Sequence, residues 1–282
     1  MLIVESQSLD VHRNLAIEEY LMERAVESGP VLFLWRSACA VVVGKNQNPW
    51  RECRLDLMQA EGVPLARRIS GGGTVYHDEG NLNYCVITDR TRYREEQAYE
   101  MVFQALETLG IRAEKTGKSN LSVDGLKFSG NAFCFRKGRA LHHGTLLLDT
   151  DLERLNRYLE PMFSRIDTRA IRSVPAPVAN LGLDVAEVSE ALRSSFSSLY
   201  DDGRLFRRAE ADLDGAALLP LEEKHRSNRW KHGATPRFSV ERDGVRLEVE
   251  NGKIVRGSGA GADAWVGRPF FEAAFSLSCW ID

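Results

Sequence analysis

Three consecutive glycines, Gly71-Gly72-Gly73, stand between Arg67-Arg68-Ile69-Ser70 and Thr74-Val75-Tyr76-His77-Asp78-Glu79-Gly80-Asn81. The flanking β-branched and aromatic residues suit strands. Glycine is costly inside a strand, so its presence there marks a bulge or a close backbone approach. A backbone without Cβ atoms lets a ligand lie on the chain, with N–H groups facing phosphate oxygens and Arg68 supplying a forked, charge-assisted contact. Asp78, Gly80 and Asn81 then form a polar rim at the next turn. The glycines alone fit a bare hairpin as well as a binding turn; the Arg-Arg and His-Asp-x-Gly-Asn flanks weigh towards a site. Neither GxxxxGK[ST] nor a GxGxxG opening a helix is present, which sets aside the Walker and Rossmann phosphate loops.

Around this turn the pattern alternates between strand and helix signals. Residues 14–28 have helical spacing through Leu15, Tyr20, Leu21 and Ala25, with Asn14 as the expected N-cap and Gly29-Pro30 as the stop. Strands are expected at Val31–Trp35, Ala40–Val43, the approach to Arg67, and 82–88. Short helices are expected over 55–61, 152–159 and 186–199, and an amphipathic one over 95–109. Asp124-Gly125 and Lys137-Gly138 are hairpin dipeptides joining three β segments, the last at Thr145–Leu148. The charged stretch from Asp201 to Arg229 reads as a connection, Phe238–Val240 and Val245–Val249 as strands, and 257–262 as a flexible loop. The chain is therefore read as α+β, cut near residue 220 into a large domain (1–220) and a small C-terminal one (221–282).

The 282 residues, 43% of them hydrophobic, can bury a substantial core, and a net charge of −3 argues against nucleic acid as the partner. Five cysteines without a CxxC pair point to thiols in a reducing compartment. The N-terminus has no basic leader and no apolar run is long enough to span a membrane, so a cytoplasmic enzyme is the expectation.

The segment Arg-Arg-x-Ser-Gly-Gly-Gly-x-Val-x-His-Asp-x-Gly-Asn resembles the signature of the lipoate–protein ligase A family, within the biotin/lipoate ligase superfamily. Further blocks resemble it in the family's order: Leu34-Trp35-Arg36, Gly44-Lys45-Asn46-Gln47-Asn48-Pro49-Trp50, Lys127-Phe128-Ser129-Gly130-Asn131-Ala132, His142-His143-Gly144-Thr145-Leu146-Leu147 and Val178-Ala179-Asn180-Leu181. The resemblance implies a mixed β-sheet catalytic domain flanked by helices, with an accessory α+β domain that is reduced here. It implies use of ATP and Mg2+ to make lipoyl-AMP, then transfer of the lipoyl group to a lysine of a lipoyl domain of a dehydrogenase E2 subunit or of a glycine-cleavage H protein. Carried over by residue, Arg68, Gly73, Thr74, Val75, Tyr76 and Asn81 bind the adenylate, while Gly71, Gly72, Gly73, Trp35, His143 and Gly144 border the lipoyl group. Lys127 bridges the acyl carbonyl and the phosphate, where a fixed ammonium lowers the repulsion between two anions. Adjacent strand residues face opposite ways, so only one of His142 and His143 points into a pocket. Trp35 and Val43 read as walls of the tail tunnel or as plain core.

The sequence departs from the family pattern in two places. Gly117-Lys118-Ser119-Asn120 carries an amide where the family commonly has an aspartate, so position 120 offers a magnesium ion no charge. Ser173-Val174-Pro175 lacks a basic residue the family has there. These departures keep two alternatives open: an octanoyl or lipoyl transferase starting from preformed lipoyl-AMP or a carrier-bound acyl group, and a non-catalytic lipoate-binding module. No cysteine lies in 113–124 to act as a transferase nucleophile, and Cys134 reads as a small apolar strand residue.

Overall fold

The computed structural model describes residues 1–24, 29–163, 165–201, 203–242 and 244–276. In chain order its elements are β1 (Leu2–Glu5), α1 (Val11–Arg24), β2 (Val31–Trp35), β3 (Ala40–Val43), α2 (Pro49–Glu52), α3 (Leu55–Ala60), β4 (Leu65–Arg67), β5 (Val75–His77), β6 (Asn81–Asp89), α4 (Glu95–Thr108), β7 (Glu114–Thr116), β8 (Asn120–Val123), β9 (Leu126–Arg136), β10 (Arg139–Leu147), α5 (Leu152–Tyr158), β11 (Ile166–Thr168), α6 (Val185–Leu199), β12 (Phe206–Ala209), α7 (Gly215–Arg226), β13 (Phe238–Arg242), β14 (Val245–Glu250), β15 (Lys253–Ser258) and α8 (Phe270–Ser276).

The chain divides into two compact units, each assembled from three segments: residues 1–38, 77–152 and 175–222 in the first, and 39–76, 153–174 and 223–282 in the second. A single cut near residue 220 thus coincides with only the last of five crossings. The remaining crossings come from residues close in sequence joining different cores, which no composition shift announces.

The first unit is an eight-stranded mixed sheet in the order β12-β1-β2-β6-β10-β9-β8-β7. β1 runs parallel to β2 and β12, and the pairs from β2 to β7 are antiparallel. Asp124 and Lys137 both adopt the left-handed conformation, at φ 52° and 49°, and are followed by Gly125 and Gly138, which also have positive φ; this makes the two expected hairpins. One sheet face packs Leu82, Tyr84, Val86, Phe128 and Leu146 against Tyr99 and Val102 of α4 and Leu192 and Phe196 of α6. The helix α1 lies on the other face.

That helix begins three residues earlier than expected. Asp10 is the cap, its Oδ1 accepting from His12 N (2.9 Å) and Arg13 N (3.3 Å). Asn14 is fully buried inside the helix, and its Nδ2 donates to Ser8 O and Arg36 O. Ala25 and the rest of 25–28 lie outside the described residues, as do Asp202, Asp243 and Cys279. The stretch expected as a connection instead contributes β12 and α7. They are tied back by Glu210 to Ser6 and Arg13, and by Glu222 to Arg13 (2.5 Å). β12 is exposed along its length and α7 contains Pro220, so neither carries the usual signal of its element.

The second unit joins a three-stranded sheet, β4-β3-β5, and a four-stranded antiparallel sheet, β11-β13-β14-β15, over one apolar core. Trp50, Val41, Met58 and Tyr76 meet Tyr158 and Phe163 and also Phe238, Leu247, Ile254 and Phe270, so all three segments contribute. Asn251 and Gly252 form the expected turn. Gly257 and Ser258 end β15 rather than opening a flexible loop.

Candidate functional site

In the first unit, register places the lysine. On β9, Lys127 N donates to Pro177 O (3.0 Å), and its carbonyl accepts from Ala179 N (3.0 Å), a parallel bridge to Val178. Asn180 anchors the bridging segment, donating to Thr150 O (2.8 Å) and accepting from Thr150 N (3.0 Å). Its block was legible in the sequence, but its purpose of gripping Lys127 was not. The Lys127 Nζ lies 3.3 Å from where a Cβ on Gly130 would stand, so the amine rests against bare backbone.

Gly130 also fixes which face the amine occupies. Its N–H donates to Thr145 Oγ1 (3.2 Å), and Asn120 is its cross-strand partner. Directly paired residues share a face: Thr145 pairs with Asn83, Asn83 with Trp35, His143 with Ala132 and Cys85, and Leu147 with Asn81. Trp35, Asn81, Asn83, Thr145 and His143 therefore project from the side on which α1 lies. From α1, the buried Glu18 accepts from Trp35 Nε1 (3.1 Å) and His143 Nδ1 (2.8 Å), which fixes both rings and the His143 tautomer. Glu18 was missed by sequence reasoning, since a carboxylate among helical charges reads as solvated. The Asn81 side chain is fully buried, its Nδ2 at 3.5 Å from Asn83 Oδ1, while its Oδ1 has no partner among the described residues.

His142 and Gly144 belong to the opposite face. Burial in a cage of Tyr84, Tyr93, Tyr99 and Phe133 pushes the His142 pKa down to about 3. The Asn131 Oδ1 accepts from His142 Nε2 (2.9 Å) and from the Tyr84 hydroxyl. A Cβ on Gly144 would stand 2.5 Å from Asn131 Oδ1 and 2.7 Å from the Tyr84 ring, so this glycine makes room for the polar cluster. Of the pair implied by the resemblance, His143 alone lies on the Lys127 face. Asp78 is a turn residue, its carboxylate accepting from Gly80 N (3.0 Å) and Asp151 N (2.8 Å).

In the second unit, the glycine-rich turn is held by two guanidinium groups. Arg68 donates to Val42 O (3.2 Å), Ser70 Oγ (3.0 Å), Gly71 O (2.6 Å) and Gly73 O (2.6 Å), so its fork clamps its own turn. Arg67, with no solvent exposure, donates to the carbonyls of Gly44, Lys45, Gln47, Trp230 and Lys231 and to Thr235 Oγ1. Burial lowers its pKa to about 10, which leaves it charged at neutral pH. Trp230 Nε1 returns a bond to Arg67 O (2.7 Å).

The three glycines have separate reasons. Gly72 has φ 85°, Gly73 lies against Ser173, and Gly71 has nothing within 4 Å of where its Cβ would be. Packing therefore does not require glycine at 71. Thr74 and Val75 are partly exposed, but the Tyr76 ring is buried in the core, stacked 6.0 Å from Tyr158, leaving its backbone for any contact. Val43 is core as well. Glu52, Gln47 and Ser173, none of them singled out as site residues in the sequence, form a partly buried polar network with Thr74. Among the described residues no cluster of three or more His, Cys, Asp or Glu side chains is placed to hold a metal ion, and no helix is long and apolar enough to cross a membrane.

Residues 10–197 match the family model of the lipoyl protein ligase A/B catalytic domain. A lipoate-protein ligase A from Bdellovibrio bacteriovorus is 39% identical over 273 residues, spanning 88% of this chain and 79% of its own length. Among solved structures, P. falciparum LipL1 in complex with lipoate superposes with a TM-score of 0.71 at 26% identity, covering 92% of this chain and 83% of that one. A bi-partite lipoate protein ligase from Thermoplasma acidophilum, studied with its E2 lipoyl domain, gives 0.68 at 26% identity over 82% of this chain and 94% of that one. A lipoate-protein ligase A bound with ATP gives 0.65 at 25% identity over 82% and 97%.

Proposed function

The chain belongs to the lipoyl protein ligase A/B family, and from that premise we propose that it is an ATP-dependent lipoate–protein ligase. A lipoate carboxylate oxygen attacks the α-phosphorus of ATP, the bond to pyrophosphate breaks, and lipoyl-AMP forms. The amine of an acceptor lysine then attacks the acyl carbon, AMP leaves, and the amine loses a proton. Relatives with lipoate and with ATP bound support both substrates.

The observation that carries the reading is the position of Lys127. Its ammonium rests on Gly130, on a face that also presents Asn81, Asn83 and Thr145 as hydrogen-bonding groups and Trp35 as an apolar wall. A compact charge there stabilises an oxygen shared between an acyl carbonyl and a phosphate. The unpartnered Asn81 Oδ1 supplies an acceptor for the nucleotide. Trp35 and His143, oriented by Glu18, border the lipoyl tail, with the Gly144 backbone beside them. Gly71, Gly72 and Gly73 give the adenylate and the tail a surface without side chains, and Arg68, Thr74, Val75 and Tyr76 set the backbone groups along it.

Mg2+ fits as an ion carried on the ATP phosphates. It keeps several waters and needs one or two protein oxygens rather than a cage, and Asn120 on the Lys127 face offers a neutral one. The acceptors are lipoyl domains of dehydrogenase E2 subunits or a glycine-cleavage H protein, and the setting is the cytoplasm.

Incubation with ATP, Mg2+, lipoate and a lipoyl domain should add one lipoyl mass to the acceptor. No gain beside a working ligase would remove this reading. Asn120 supports a second one: modification from preformed lipoyl-AMP, but not from lipoate and ATP, would identify a transferase.

A further inference from the structure

Glu52 ends α2 and is buried, yet two donors of Ser173 converge on its carboxylate and the Thr74 hydroxyl lies beside it. Ser173 N donates to it at 3.1 Å, the Ser173 hydroxyl donates to Oε2, and Thr74 Oγ1 approaches to 3.4 Å. The Ser173 oxygen in turn accepts from Thr74 N (2.8 Å) and Gln47 Nε2 (3.0 Å). Gln47 closes the circuit, its Oε1 accepting from Gly44 N (2.9 Å) and Thr74 Oγ1 (2.9 Å). One carboxylate, through one serine, thus fixes three loops: 44–47, the glycine-rich turn, and 169–174.

We infer that Glu52 and Ser173 are positioning residues that set the Thr74 backbone for nucleotide binding. The inference rests on the adenylate role proposed above for Gly73–Tyr76. A carboxylate suits the task because it only accepts, so it can receive the Ser173 amide and the Ser173 hydroxyl together; an amide in its place would turn a donor towards donors. Ser173 suits it because one hydroxyl both donates to Glu52 and accepts from Thr74 N–H. A turn with three glycines has little stiffness of its own, so the backbone conformation at Thr74, whose N–H is held by Ser173, is inherited from this network. Glu52 reaches the turn chiefly through Ser173.

The test measures ATP binding by calorimetry with the full chain, alongside KM for ATP and kcat for lipoyl-AMP formation. Ser173→Ala should weaken ATP binding and raise KM by roughly tenfold to a hundredfold, the scale on which misplaced groups act. The melting temperature reports folding separately. Ser173→Thr, which keeps the hydroxyl, should restore affinity to within about threefold, a rescue that a bulk packing role would not give. Glu52→Gln should weaken binding in the same direction, and the double variant should be no worse than Ser173→Ala, since groups on one path are not additive. Wild-type affinity in folded Ser173→Ala, or fully additive losses, would overturn the inference. A wild-type chain that fails to bind ATP would overturn the proposed function and this inference with it, so the two failures are distinguishable.

Discussion

Around Lys127 the side chains are set by strand register, whereas around Gly71–Gly73 the backbone is set by buried polar groups. The first arrangement needs correct pairing of β9 with β8 and β10, plus one bridge to Val178. The second gathers Gly44, Trp230, Lys231 and Thr235 round Arg67, and Gly44, Thr74 and Ser173 round Gln47 and Glu52. A sheet places a side chain cheaply because the pleat already decides its face. A flexible turn needs many converging hydrogen bonds, each leaving an unsatisfied group if its partner goes.

This contrast is open to attack first at Arg67. Replacement by Met leaves five carbonyls and a hydroxyl without their donor, and should cost roughly 3–5 kcal/mol. A urea unfolding midpoint that barely moves would mean the clamp is dispensable. Lys127→Ala should do the reverse, lowering the rate of lipoyl-AMP formation by about 10²–10³ with a near-native melting temperature, because its half-buried side chain supports no core. A large loss of stability in that variant would show that the lysine is part of the scaffold.

Glycine substitutions separate scaffold from surface within the turn. A Cβ on Gly44 would run into Gly72 O, so Gly44→Ala should destabilise by about 1–3 kcal/mol and distort the turn. A Cβ on Gly71 meets nothing within 4 Å, so Gly71→Ala should leave stability within about 0.5 kcal/mol while weakening lipoate or ATP binding about tenfold. Unchanged affinity would show that no ligand lies on Gly71.

Both units share one pH liability. His142 in the first and His232 in the second have pKa values pushed from 6.5 down to about 3, chiefly by burial. Each is neutral when folded and takes up a proton when unfolded between those values. Their stabilising contribution is therefore complete above about pH 6.5 and is lost as pH falls towards 3. The slope is about 1.4 kcal/mol per pH unit for each histidine. Urea midpoints between pH 7 and 4 should follow it, and His232→Phe should remove one of the two contributions. A flat profile in the parent chain would contradict the neutral state of both rings.

Much of the architecture was legible from short-range signals. The dipeptides Asp124-Gly125 and Lys137-Gly138 announce hairpins because few residues adopt positive φ. The cap of α1 was misplaced because both Asp10 and Asn14 suit capping, and only tertiary contacts to Ser8 and Arg36 draw Asn14 into the helix. β12 escaped notice because Phe206–Ala209 is exposed and shows no alternation. Lys127, the glycine turn and Asn81 stood out through ordered blocks. Glu18, Glu52 and Ser173 did not, since a buried carboxylate is recognised by its partners: His143 lies far along the chain from Glu18, and Ser173 far from Glu52.

The interleaving of segments bears on any attempt to shorten this chain. Phe238, Leu247, Ile254 and Phe270 share one core with Trp50, Met58 and Tyr158. Ending translation after residue 222 would therefore not trim away a detachable module. It would strip the covering from the apolar side of α2 and α3 and take from Arg67 its acceptors at 230, 231 and 235, turning a buried charge and an oily surface out to water. Such a fragment should be prone to aggregate.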